Sequence, residues 1–338
     1  MEQQHMFTNR MIRNLLVPVV LEQILNSIMG TADTMMVSNV GSAALSAVSL
    51  VDSINVLLIQ AFSALAAGGA IVCAQYIGQR NYEKANMSAR QVLFIITAIS
   101  VVVSAVCLIF QKPLLRLIFG AVDADVMRAS ETYFFFTALS FPFIAAYDSA
   151  ASIFRAQENT KGPMTISMIS NIMNIGGNAI LIWVFHLGVA GAAISTLVSR
   201  IFCAVVVLWQ LRKDRQPVVV KDYLKIRPDW SMIGRILGLG IPSGIENSMF
   251  QLGKLAIQST VSTLGTAAIA AQAMTNILEN LNGIAAIGVG VGLMTIVGQC
   301  LGAGRKDEAV YYIKKTLRHC RGSYYRKLSE LCIFWSDR

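Results

Sequence analysis

Shifting this chain by 224 residues lays Leu15–Leu93 on Leu239–Leu317 without a gap. Pro18 meets Pro242, Glu22 meets Glu246, Gly41 meets Gly265 and Ala43-Ala44 meets Ala267-Ala268. Farther on, Gln75 meets Gln299, Gly78 meets Gly302 and Ala85 meets Ala309. Most other aligned positions exchange one apolar residue for another. A repeat this long cannot be a short structural module. It implies two similar lobes, each with its own set of helices, as in membrane transporters built from internal repeats.

The solvent of those lobes follows from composition. Of 338 residues, 55% are hydrophobic and 14% are charged, against roughly 25% charged in an ordinary soluble domain. Hydrocarbon offers the backbone no hydrogen-bond partner, so a spanning segment is either a helix or a closed barrel strand. Apolar runs here reach the roughly 20 residues a helix needs, whereas barrel strands alternate polar and apolar over about ten. The expected fold class is therefore an all-α polytopic membrane protein. Eight spans are expected, near 14–37, 46–73, 92–111, 132–154, 165–185, 189–211, 237–262 and 267–297.

The formal charge of +9 is unevenly placed. Arg10, Arg13, Arg80, Lys84, Arg90, Arg155, Lys161 and the basic residues of 212–235 and 305–318 fall on one side of this topology. The opposite loops hold Lys112, Arg116 and Arg128. The positive-inside rule puts the N-terminus in the cytoplasm, and a multi-pass protein of the cell (plasma) membrane is expected. No soluble basic domain is present to bind nucleic acid. The expected units are a first lobe over 1–211, a charged cytoplasmic linker over 212–235 and a partial second lobe over 236–317. The linker is interrupted by Pro217 and Pro228, and its middle and end read as an amphipathic segment on the membrane surface. Residues 318–338 form a polar tail that departs from the repeat. This tail is read as the mark of a truncated second lobe.

Charged and amide groups inside a bilayer are costly and are functional candidates by default. Asp33, on the first span, can be neutralised by H⁺, Na⁺ or a cationic substrate and is the leading coupling residue. Asn174 and Asn178 lie four apart on one face of span five. Their carboxamide oxygens suit Na⁺ or a carboxyl group, and helix–helix hydrogen bonding is the competing reading. Pro18 and Pro242 lack an N–H and are expected to kink spans one and seven. Glu246, like its repeat mate Glu22, could gate an inward-facing cavity or cap the kinked helix. Asp52, Asp148, Arg200 and Glu279 are further intramembrane charges, expected to pair or face a cavity. Lys254 would repel cationic compounds unless Glu279 or Glu246 pairs with it. The glycines of 283–304 read as close helix packing, since no strand precedes them as a nucleotide loop would require. The six cysteines show no metal-ligand spacing and read as small apolar filler. No Walker sequence, HExxH or Ser-His-Asp set occurs, so neither an enzyme nor an ATP-driven pump is expected, and no cofactor is implied.

The stretches PVVLEQILNSIMGTADTMMVSNVG (18–41), GGAIVCAQYIGQRNYEKA (68–85), SNIMNIGGNAILIW (170–183) and GIPSGIENSMFQLGKL (240–255), in this order and at the repeat spacing, resemble the multidrug and toxic compound extrusion (MATE) transporters. The resemblance implies a two-lobe helical bundle with the first six-helix lobe whole and about two spans of the second. It also implies antiport of amphiphilic drugs or toxic organic compounds against H⁺ or Na⁺. The cation-coupling set it implies is Asp33, Asn174, Asn178 and Thr196. Asn178 stands where an Asp is common, which removes one negative charge and weakens a Na⁺ site. Tyr133 is expected to line the same cavity. Gln251 occupies a second-lobe place where an acidic residue is frequent, so Glu246, Gln251, Lys254 and Glu279 are the substrate or gating candidates there. Two other readings remain: a lipid or lipid-linked oligosaccharide flippase of related fold, kept open by Arg200 and Lys254, and a non-transporting membrane protein. The partners expected are small amphiphilic molecules and the lipid bilayer, with protein partners left open.

Overall fold

The computed structural model describes residues 5–119, 124–213, 216–220, 227–262 and 266–318. These residues form helices throughout. In chain order they are α1 (Asn9–Ser38), α2 (Ser42–Gly78), α3 (Tyr82–Ile109), α4 (Gln111–Phe119), α5 (Ala124–Leu139) and α6 (Phe141–Ala156). There follow α7 (Lys161–Ala179) with a π-helical turn at Ile180–Val184, α8 (Gly188–Leu211), α9 (Trp230–Ser262), α10 (Thr266–Gly302) and α11 (306–318).

Helices α1, α2, α3, α8 and α7 with its π-helical turn are each long and apolar enough to cross a membrane. Expected span four is a correction. The apolar run 132–154 reads as one helix, but the chain breaks at Ser140 into α5 and α6, which meet at a 42° bend and make one broken span. Pro142 is the cause: it sits in the first turn of α6, where a proline's missing N–H costs nothing, and it cannot continue α5. Helices α9 and α10, of 33 and 37 residues, also exceed spanning length. The chain is thus an all-helical, membrane-embedded protein.

The repeat is visible as geometry. Helix α2 packs on α3, α5 and α6 of its own lobe and on α9 and α10 of the other. Helix α10, the repeat mate of α2, meets it at a near-symmetric crossing. A Cβ on Gly78 would overlap the backbone carbonyl of Gln299, and a Cβ on Gly302 would overlap that of Gln75. These two contacts are each other's mates under the 224-residue shift. Between them a Cβ on Gly298 would lie 2.9 Å from the Cβ of its own mate, Ala74, so this pair sits on the pseudo-two-fold axis. Gly68 of α2 gives α9 the same close approach, its imagined Cβ falling 2.6 Å from the Gly240 nitrogen. Small residues let helix backbones touch where lipid supplies no hydrophobic drive.

Two straps tie each lobe to the other at one end of the bundle. Preceding α1, the Met6 N–H donates to Glu308 (2.9 Å) and the Phe7 N–H to the Tyr312 hydroxyl (2.8 Å). The Tyr312 hydroxyl returns a bond to the Phe7 carbonyl at 2.9 Å. Some burial of the Glu308 carboxyl opposes its charge. The Met6 amide and Arg305 outweigh that and hold it below the usual carboxylate range. Preceding α9, the Gln91 side chain of α3 donates to the Arg227 carbonyl (2.7 Å) and accepts from the Asp229 N–H (3.2 Å). Val218 and Val220 of the linker are fully buried against the first lobe. This part of the linker is therefore packed into the protein, and α9 starts at Trp230, inside the stretch read from sequence as linker.

Pro18 lies within a continuous α1. Its missing N–H frees the Asn14 carbonyl, and Thr160, at the α6–α7 turn, donates its hydroxyl there at 3.3 Å. Pro242 likewise lies inside a continuous α9. Cys73, Cys107, Cys203 and Cys300 are buried and free.

The α2–α10 crossing generates a prediction. Substituting Gly78→Ala or Gly302→Ala forces a methyl onto a backbone carbonyl that cannot rotate away. Each substitution is expected to lower stability by about 2 kcal/mol, within the range for overpacking, as read from thermal unfolding in detergent. The control Gly176→Ala, which meets open space, is expected to unfold like the wild type.

Candidate functional site

The polar groups of the first lobe collect where α1, α7 and α8 meet. Helices α7 and α8 approach closely because Gly177 leaves room for Ser195, whose hydroxyl would otherwise be struck by a Cβ. Ser195 then donates to the Asn174 carbonyl (2.9 Å), and Ser170 donates to the Ser199 carbonyl (3.1 Å). Asn171, Asn174 and Asn178 thus share the buried face of α7, aimed at α1.

Asp33 receives this ladder. The Asn178 amide donates to Asp33 Oδ1 at 2.6 Å. The Asn174 carboxamide, oriented by its neighbours, donates to Oδ1 at 2.8 Å and Oδ2 at 3.2 Å, while its oxygen accepts from the Thr196 hydroxyl at 3.3 Å. The expected set of Asp33, Asn174, Asn178 and Thr196 therefore converges. Every group facing Asp33 in this arrangement is a donor, which suits an ionised carboxylate. One buried oxygen, Asn178 Oδ1, has no hydrogen-bond partner.

Two turns earlier on α1, Asn26 accepts from Ser167 (3.0 Å) and Asn171 (3.1 Å). Sequence reading missed Asn26. Its place seven residues before Asp33, on the same helical face, was the available signal.

A second cluster adjoins the first. Asp52 of α2 accepts from Asn55 and from the Tyr133 hydroxyl, both at 3.2 Å. Tyr133, expected to line the cavity, is 8% exposed and spends its hydroxyl on Asp52. Arg200 of α8 donates to the Ser140 hydroxyl at 2.6 Å, at the break between α5 and α6. It lies within electrostatic range of Asp33, Asp52 and Asp148. Glu22, 4% exposed, accepts from Tyr147 (3.0 Å) and faces Arg155 at 3.7 Å.

The second-lobe candidates lie on α9 and α10. Glu246 is exposed on α9, and Gln251 and Lys254 are partly exposed on the same helix. The Lys254 ammonium lies 5.1 Å from the Phe250 ring centre. Glu279 falls on α10, but its side chain lies outside the described residues. The aligned mate of Asp33 is Ile257, so the repeat does not duplicate the acid.

With this geometry in view, the chain can be placed among known proteins. The MatE family profile matches residues 18–180 and 242–319, and the chain belongs to that family. It is 27% identical over 308 residues to a probable multidrug resistance protein, YoeA, of Bacillus subtilis, covering 88% of this chain and 66% of that protein. A probable multidrug resistance protein NorM of Thermotoga maritima is 25% identical, over 89% of this chain and 65% of the relative. The chain thus spans about two thirds of the length of these curated relatives. Among solved structures, a MATE transporter in a bent conformation superposes with TM-score 0.84 at 21% identity, over 93% of this chain and 71% of that one. The outward-facing conformation of a multidrug resistance MATE family transporter gives 0.83 at 20% identity, over 89% and 67%. These likenesses establish the fold.

The Glu22–Arg155 pair generates a prediction. Substituting Glu22→Ala removes the carboxylate that faces Arg155 among packed helices. Removing one partner of a buried pair costs about 3 kcal/mol, so the thermal unfolding midpoint is expected to fall sharply. The double substitution Glu22→Ala, Arg155→Met is expected to recover much of the loss.

Proposed function

We propose that this chain works as a secondary antiporter in the plasma membrane, with its N-terminus in the cytoplasm. It exports amphiphilic drugs or toxic organic compounds in exchange for a cation taken up at Asp33. The observation that carries this reading is the convergence of Asn174 and Asn178 on Asp33, with Thr196 holding Asn174 from behind. A carboxamide can turn its nitrogen to a carboxylate or its oxygen to a carboxylic acid or Na⁺. Asn174 and Asn178 can therefore serve both the empty and the loaded acid without moving a helix. The unpartnered Asn178 oxygen is an acceptor held in reserve for the loaded form. The names of the relatives, probable multidrug resistance proteins, support the substrate class.

Exchange follows from linkage. If cation and compound favour different arrangements of the two lobes, binding of one expels the other. The reaction is movement rather than covalent chemistry, and small molecules and lipid are the partners it needs. A proton fits the site better than Na⁺, because Asn178 supplies no second carboxylate. The nearness of Arg200 to Asp33, Asp52 and Asp148 offsets its charge and speaks less for a flippase, which would want cations free for an anionic headgroup.

The test is efflux of a fluorescent cationic dye from vesicles carrying the chain, driven in turn by a pH gradient and by a Na⁺ gradient. Asp33→Asn, which keeps shape but cannot take up a proton, is expected to reduce driven efflux at least about tenfold, a loss of 1.4 kcal/mol or more in coupling. A chain that moves no dye, or whose efflux survives Asp33→Asn, overturns the reading.

A further inference from the structure

Arg200 is a cation placed by the chain itself inside the coupling lobe, and the function proposed above gives it no task. It occupies an apolar helix, α8, where an unneeded guanidinium would be selected against by its transfer cost. The groups around it come from five elements. They are Asp33 on α1, Asp52 on α2, Tyr133 on α5, Ser140 at the helix break and Asp148 on α6. Its recorded hydrogen bond goes to a neutral hydroxyl, that of Ser140. Among the described residues no carboxylate approaches it within the 4.0 Å of an ion pair, unlike Arg155, which faces Glu22 at 3.7 Å. Arg200 is thus within reach of three acids and closely bound to none.

We propose that Arg200 is a tethered counter-ion that occupies, electrostatically, the place of a bound alkali cation in the first lobe and so makes this site take a proton rather than Na⁺. Asp148 also has Arg155 beside it, so without Arg200 it is Asp33 and Asp52 that would stand with no fixed cation, in a negative cavity that hard cations enter readily. With Arg200 present one charge is already balanced, and Asp52 has its own donors in Tyr133 and Asn55. A proton needs only the single carboxyl of Asp33 and the two amides beside it. A Na⁺ needs several oxygens and a field strong enough to shed its water, and Arg200 cancels part of that field. When Asp33 becomes neutral, the guanidinium loses one of its attractions and keeps those of Asp52 and Asp148. This inference rests on the coupling reading of Asp33 for its bearing on transport, but it is a statement about binding and can be tested without transport.

The experiment is thermal unfolding of the purified full chain in detergent, at one pH and ionic strength, with NaCl exchanged stepwise for choline chloride. The wild type and R200K, which keep the charge, are expected to show no Na⁺-specific change. R200Q and R200M are expected to show a saturable rise of about 4 °C or more with Na⁺, as a ligand that binds only the folded state produces. The rise is expected to vanish when Asp33→Asn is added. R200M is included because it fills the space without leaving stranded donors, should R200Q not fold. A Na⁺-specific, Asp33-dependent rise in the wild type overturns the proposal, as does its absence in a folded R200Q or R200M. If neither neutral variant folds, the wild type and R200K decide: no Na⁺ response in either supports the proposal, and a response in either overturns it. Efflux that survives Asp33→Asn would sink the coupling reading while leaving the result for Arg200 standing.

Discussion

Lipid offers no hydrogen bond, and this constraint organises the first lobe. The polar groups that α1, α2, α7 and α8 carry into the apolar layer have to find their partners within the protein. Asp33 is held by two carboxamides of α7, Asn26 by Ser167 and Asn171, Asp52 by Tyr133 and Asn55, and Glu22 by Tyr147 and Arg155. These bonds give the lobe a fixed register. They also leave a small number of groups, Asn178 Oδ1 and Arg200 among them, whose bonding is incomplete and which can respond to a change of charge.

The two lobes share a plan but divide the work. Their crossing at α2 and α10 is close to symmetric, down to reciprocal contacts of Gly78 with Gln299 and Gly302 with Gln75. The polar chemistry is not symmetric: Asp33 corresponds to Ile257, Asn26 to Phe250 and Asp52 to Asn276. Duplication therefore supplied a scaffold in which two bundles meet on a shared axis. Charge was then retained in the first lobe at positions where the second is apolar or neutral.

Much of this was legible in the sequence. The 224-residue repeat and the apolar run lengths foretold the spans, the four-residue spacing put Asn174 and Asn178 on one face, and the family resemblance joined that face to Asp33. The break of span four was hidden because 132–154 is apolar enough to read as a single span, although Pro142 marked it. Tyr133 was expected to line the first-lobe cavity, but its bond to Asp52 was not foreseen, since a hydroxyl's partner on α2 cannot be read from α5. Arg200 could be recognised as costly but not located, because its neighbours come from five separate stretches of chain. Amphipathic character suggested that the linker lies on the membrane, whereas Val218 and Val220 show part of it buried in protein.

The strap ahead of α1 has a consequence for biogenesis. Met6 and Phe7 are made more than 300 residues before their partners Glu308 and Tyr312. The leading segment must therefore wait, unpaired at the membrane surface, through the insertion of ten helices before its anchor emerges from the ribosome. Contacts so distant in sequence form slowly, so this strap can close only after α1–α10 have been made, which makes it a natural place for quality control to sense that the two lobes have met.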